Sequence, residues 1–188
     1  MESHLQEAAS KFLERSEIWR FEIEKDYAVN KVADYPIQLP SNEAILENVY
    51  ELILDGRPMS RVTDKHLDTS QFNGTGSPTF YAIYQDTSIR FYPTPDNKYS
   101  FRGWGVLNTK LTATGVEDWI FESHGRCISY GAIAHLTSVP GKEWSNMELS
   151  MYYRQKFAKE IDDAKSREYR RVRTRVQFQN FSGRRRRA

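Results

Sequence analysis

The period of apolar positions changes twice along the chain and divides it into three stretches. From Ser3 to Glu17, Leu5, Ala8, Ala9, Phe12, Leu13 and Ser16 recur at the spacing of one helix face. Ser3, with Gln6 three residues on, has the form of a capping box. From Ile18 the period shortens to two: Ile18, Arg20, Glu22 and Glu24 alternate against Trp19, Phe21, Ile23 and Lys25, as along a pleated strand. Asp34-Tyr35-Pro36-Ile37-Gln38-Leu39-Pro40 reads as extended, because each proline disfavours helix at the residue before it. Val49–Leu54 reads as a strand closed by Asp55-Gly56, a hairpin signal. Thr63–Leu67 reads as a helical turn and Gln71–Pro78 as a loop. Three further strands are expected at Thr79–Tyr84, Ser88–Tyr92 and Tyr99–Leu107, rich in aromatic and β-branched residues.

After Gly115 the helical period returns. Val116–Ser138 predicts one helix, stopped by Pro140-Gly141, with a small-residue face of Ile120, Ser123, Cys127, Gly131 and Ala134. A second helix is expected from Glu143 to about Arg175, its stripe being Trp144, Met147, Met151, Ala158, Ile161 and Val172. The short link makes the two an antiparallel hairpin. The fold class is therefore α+β. The first helix and the C-terminal αα-hairpin (residues 1–17 and 116–176) would make a helical bundle. An antiparallel β-rich domain (residues 18–115) would be inserted in it, and residues 177–188 would be a basic tail, free in the monomer.

Charge changes this picture more than composition does. From Lys165 to the end there are ten basic residues and one acidic. The totals of 27 and 25 then leave 17 basic and 24 acidic residues before it, so the body carries about −7 and the tail about +9. Such asymmetry suits an acidic partner. Five arginines, Arg167, Arg170, Arg171, Arg173 and Arg175, lie on the last helix, and Arg184, Arg185, Arg186 and Arg187 follow Phe178 and Phe181. Arginine forks bind carboxylate or phosphate bidentately, and aromatics beside them suit a docking peptide as well as an RNA-binding arm. Docking into a protein groove is favoured, because the body is acidic and no nucleic-acid motif occurs.

Little else points to chemistry. The one cysteine, Cys127, excludes an internal disulfide and a cysteine-based zinc site, and fits folding in a reducing cytoplasm. No apolar run approaches the ~20 residues that span a bilayer, and the first residues lack the form of a signal peptide. His124 and His135 lie eleven apart, so neither an i,i+4 metal pair nor H-E-x-x-H is present; a mixed carboxylate site stays open but nothing points to one, and His4, His66, His124 and His135 read as surface or interface histidines. Gly74-x-Gly76 and Gly103-x-Gly105 lack the remaining residues of a phosphate loop or dinucleotide fingerprint. Glu117-Asp118 suits the positive end of a helix. Trp19, Trp104, Trp119 and Trp144 read as core or interface anchors. No catalytic residue, metal or cofactor is expected, and no enzyme.

In order and spacing the segments resemble the head-to-tail adaptor (connector) proteins of tailed bacteriophages, the group that includes tail tubular protein A of short-tailed phages. The pieces that carry the resemblance run from about Ala9 to Arg175. They are Phe12-Leu13-Glu14-Arg15-Ser16-Glu17-Ile18-Trp19-Arg20, the Asp34–Pro40 segment and Leu54-Asp55-Gly56-Arg57-Pro58-Met59. Gly76-Ser77-Pro78-Thr79-Phe80-Tyr81 leads into Ile89-Arg90-Phe91-Tyr92-Pro93-Thr94-Pro95-Asp96, and Asp118-Trp119-Ile120 opens a helix containing Tyr130-Gly131-Ala132-Ile133-Ala134. The resemblance implies a structural virion protein at the head-tail joint, assembled in the host cytoplasm. It implies a homo-oligomeric ring, a dodecamer in the family pattern, bound to the portal protein and offering a platform to the tail or nozzle protein. Genomic double-stranded DNA would pass through without sequence-specific binding, and no membrane is involved. The alternative from another class is a basic-tailed nucleic-acid-binding accessory protein.

Overall fold

The computed structural model describes residues 2–28, 32–63 and 74–182, with side chains outside residues 2, 24–28 and 172–182. The fold is α+β. Helix α1 (Glu2–Ser16) is followed by ten strands, β1 (Arg20–Ala28), β2 (Asp34–Pro36), β3 (Ala44–Leu54), β4 (Arg57–Pro58), β5 (Ser60–Arg61), β6 (Thr75–Gly76), β7 (Phe80–Tyr84), β8 (Ser88–Tyr92), β9 (Thr94–Pro95) and β10 (Tyr99–Thr109). Helices α2 (Asp118–Ser138) and α3 (Met147–Ser182) complete the described residues. The chain divides into two compact units, one of Met1–Ile18 with Ala113 onward, the other of Trp19–Thr112.

The β unit is built on two four-stranded sheets, β1-β10-β3-β4 and β2-β8-β7-β5, with a short β6–β9 pair. Pairing is antiparallel except at β5–β7 and β6–β9, which are two-residue parallel contacts. The sheets share one core. Phe91 on β8, Tyr35 on β2 and Phe101 on β10 meet edge to face, with centroids 5.0 Å apart for Phe91–Phe101 and 5.2 Å for Tyr35–Phe91. Tyr81 on β7 also donates its hydroxyl to the Val49 carbonyl of β3 at 3.2 Å. The Asp34–Pro40 and Ile89–Asp96 segments thus supply core packing.

β3 begins at Ala44, five residues before the expected start. Register shifts opposite Trp104/Gly105 and Val106/Leu107 leave Tyr50 and Glu47 as extra residues. Ala44, Leu46, Val49, Leu52 and Leu54 can then all be buried although a strict period of two does not hold. Asp55 and Gly56 take φ 45° and 80°, the left-handed pair of the expected hairpin turn. Of the expected turn at Thr63–Leu67 all but Thr63, and of the Gln71–Pro78 loop the first three residues, lie outside the described residues, while Thr75–Gly76 forms β6.

The helical unit packs α1 on the α2–α3 hairpin. A β-carbon on Gly131 of α2 would lie 3.0 Å from Ala8 of α1 and 3.0 Å from the Phe157 ring of α3, so all three helices converge there. Phe12 lies against the His124 ring, 4.9 Å between centroids, and Lys165 pairs with Glu17 at 3.2 Å. The Ile120, Cys127, Gly131 and Ala134 face of α2 is buried, joined by Ile128, Ala132 and Thr137, whereas Ser123 is exposed.

Two expectations for α3 are corrected. Among the described side chains its buried stripe is Ser150, Phe157, Ile161 and Ala164, which keeps the expected Ile161 but not Trp144, Met147 and Met151, which are exposed; the side chain of Val172 lies outside the described residues. Trp144 precedes the helix, and within it Ser150 takes the position against α2, its hydroxyl donating to the Ala134 carbonyl at 2.8 Å. A small polar residue faces the partner helix, and the large apolar ones turn outward. The helix also starts later and ends later. Asn146 caps it, its side chain accepting from Leu149 N at 2.9 Å. Its backbone stays helical to Ser182, past the expected end near Arg175, because no proline or glycine intervenes before Gly183.

Candidate assembly surfaces

The turn between α2 and α3 is tightly bonded. Gly141 takes φ 74°, and Ser145 Oγ both accepts from Lys142 N at 3.0 Å and donates to the Val139 carbonyl. Asn146 N donates to the Thr137 carbonyl at 2.9 Å. On this rigid tip Trp144, Met147, Met151 and Tyr152 are all more than half exposed, and Met147 and Met151 share one face of α3. Phe121, also more than half exposed, and Trp119 lie in the first turn of α2, at the hairpin's other end. Clustered methionines and aromatics in water mark a surface meant to be covered.

In the β unit a second exposed aromatic stands on the outer side of a sheet. Trp104 of β10 pairs in register with Glu22 of β1 and Glu51 of β3, so its exposed indole is flanked by two exposed carboxylates. On the other sheet Arg90 binds Asp34 through both ends of its fork, Nη2 to Oδ2 at 2.8 Å, and lies 3.7 Å from the Tyr84 ring centroid. The Asp34 hydrogen bond holds the guanidinium firmly protonated. This arginine ties β2 to β8 and is spent on structure.

The basic residues divide by position. Arg167, Arg170 and Arg171 are exposed on α3, beyond Ala164, the last buried residue of its stripe among the described side chains. Arg171 is held only loosely by Glu168, at 4.0 Å. Arg173, Arg175, Phe178 and Phe181 lie on the helical backbone of α3, but their side chains are outside the described set, as is the whole of Arg184–Arg187. From residue 165 to 182 the helix runs for about 27 Å.

Groups able to do covalent chemistry are muted. Cys127 is buried, and burial pushes its thiol up to about 12, so it stays a protonated packing group. Burial, with Arg167 nearby, holds the His124 imidazole below its ordinary range and neutral. Trp19 is in the core, while Trp104, Trp119 and Trp144 are exposed. Gly103 and Gly105 sit in the central strand β10, under Leu52 and Phe21, which is a packing role. A shallow depression on α3 among Asp162, Lys165, Ser166 and Tyr169 is open to solvent.

One juxtaposition was not legible from spacing along the chain. His4 and Glu7 of α1 meet His135 of α2. His4-x-x-Glu7 is an i,i+3 pair, a signal that both face one way, but the partner on α2 comes only with the helix register.

No helix among the described residues is long and apolar enough to cross a membrane. No curated protein matches the chain. The model of the SU10 adaptor protein family matches residues 3–179, from the first turn of α1 to near the end of α3. That match does not extend to the narrower likeness to tail tubular protein A. A match over so much of the chain, on a helical unit interrupted by a β unit and bearing exposed apolar and basic surfaces, places this protein in the SU10 adaptor protein family, as a structural phage head-to-tail adaptor.

Proposed function

We propose that the chain forms a homo-oligomeric ring, a dodecamer by family pattern, beneath the portal protein, extends the DNA channel, and carries the tail or nozzle protein. The role is assembly, with no catalytic step. The family match over residues 3–179 carries this reading. The exposed surfaces support it. Apolar side chains at the two ends of the hairpin, Met147 and Met151 at one and Phe121 at the other, are different patches. A contact between unlike patches is heterologous, and a heterologous contact that closes makes a ring. The acidic body suits a channel wall, since phosphate is repelled and DNA slides without sticking.

The basic C-terminal segment is proposed as the portal-docking element, through Phe178, Phe181 and Arg184–Arg187, with Arg167, Arg170, Arg171, Arg173 and Arg175 forming a basic approach on α3. Removing residues 177–188 tests it. The truncated chain is expected to keep its melting behaviour, to lose only the ellipticity of the helical residues 177–182, and to lose binding to purified portal. Portals decorated normally by the truncated chain, seen by electron microscopy, would overturn the docking role. A second reading, a nucleic-acid-binding accessory, draws support from the exposed Arg167, Arg170 and Arg171.

A further inference from the structure

Within the helical unit, His4 and Glu7 project from the first two turns of α1 toward His135 in the last turn of α2. One ligating atom from each lies within 4.8 Å of the other two. His135 Nδ1 stands 3.5 Å from Glu7 Oε2. Two donors bound at 2.0–2.2 Å to a tetrahedral ion are about 3.4 Å apart, so this pair already has ligand spacing. All three residues are partly buried, open enough for an ion to enter.

We propose that His4, Glu7 and His135 form a binding site for a borderline divalent transition ion of the Zn²⁺ type, which clips the start of α1 to the end of α2. Two imidazoles and one carboxylate are the donor set such an ion prefers, and a water completes the four positions.

Lys11 sets the terms. Its ammonium lies 2.8 Å from Glu7 Oε1 and 3.1 Å from His135 Nε2. An ammonium can only donate, so Nε2 offers its lone pair and Nδ1 carries the proton toward Glu7. An ion on Nδ1 moves that proton to Nε2. There it would face the ammonium, donor to donor, so Lys11 must leave. Lys11 is thus a resident cation that a metal displaces, and without metal it holds the same two helices together more weakly.

The test uses the full chain, freed of metal with a chelator and titrated with Zn²⁺ by calorimetry, with Co²⁺ absorption as a check on four-coordination. One ion per chain is expected, with a melting rise of roughly 5 °C at a hundredfold excess over Kd. H4A should weaken binding about tenfold or more. His4 lies in the first turn, away from the core, so this variant leaves the fold in place. K11M should bind more tightly than the parent chain, an outcome that a simple ion-pair cluster does not produce. The proposal is overturned if neither parent nor K11M binds Zn²⁺, or if H4A and H135Q bind it as tightly as the parent.

Discussion

A β-carbon on Gly105 would overlap the Phe21 ring and come 2.9 Å from Leu46 Cδ1. On Gly103 it would run into the Glu51 carbonyl of the neighbouring strand. Both glycines lie in β10, the strand between β1 and β3, where side chains from both neighbours close over them. The consequence is quantitative. Gly105→Ala is expected to destabilise the β unit by about 2 kcal/mol, because a packed ring has to move and its rotamer has to change. Gly115→Ala is the control: nothing lies within 4 Å of a β-carbon there, so its effect should stay within about 0.5 kcal/mol. Urea unfolding followed by tryptophan fluorescence measures both. Equal midpoints for the two variants would mean that the Phe21–Gly105 contact does not hold the register.

At the scale of elements, residues with strong local signals were readable in sequence and residues governed by partners were not. Asp55-Gly56 announced its turn because only left-handed backbone closes a two-residue hairpin, and both residues adopt it. Of the α2 face, Ile120, Cys127, Gly131 and Ala134 were legible because small residues recur at helical spacing, while Ser123 is exposed. The first half of β3 was hidden, since its two extra residues break the period of two that sequence reading relies on. The start of α3 was misplaced for a similar reason. Trp144 looked like the first apolar contact, yet Asn146 decides where the helix begins, and its role depends on one hydrogen bond to Leu149 N. Ser150 likewise looks polar and exposed in sequence and is wholly buried because its hydroxyl is satisfied by Ala134. Asn146→Ala is therefore expected to cost about 1 kcal/mol, a lost N-cap. Asn146→Asp, which keeps the acceptor and adds a favourable charge at the helix start, should cost nothing. Thermal melts of the two variants separate the cap from the turn: equal losses in both would assign the effect to the turn's backbone and not to the cap. The His4–Glu7–His135 group belongs to the same category as Ser150, visible only once α1 and α2 are in register.

At the scale of the whole molecule the open choice lies between a protein and a polyanion as the partner of the basic segment. Charge alone does not separate them, since arginine serves carboxylate and phosphate alike. Aromatic residues do. Non-specific DNA binding comes from counterion release and falls steeply with salt, with a slope of about −0.9 per phosphate contact. Phe178 and Phe181 add little to that slope. A protein groove, by contrast, gains most of its affinity from a few buried aromatic and arginine anchors. The double variant F178A/F181A keeps every charge and so splits the two readings. For a portal-docking segment it should weaken portal binding by about 2 kcal/mol or more, roughly thirtyfold, while leaving the salt slope of duplex DNA binding unchanged. The body reinforces the expectation. At about −7 it repels the duplex, so whatever DNA affinity the free chain has should reside in the C-terminal arginines and vanish when portal occupies them. Portal binding that survives the double variant, together with DNA binding that persists on the portal-bound chain, would instead make the segment a nucleic-acid arm.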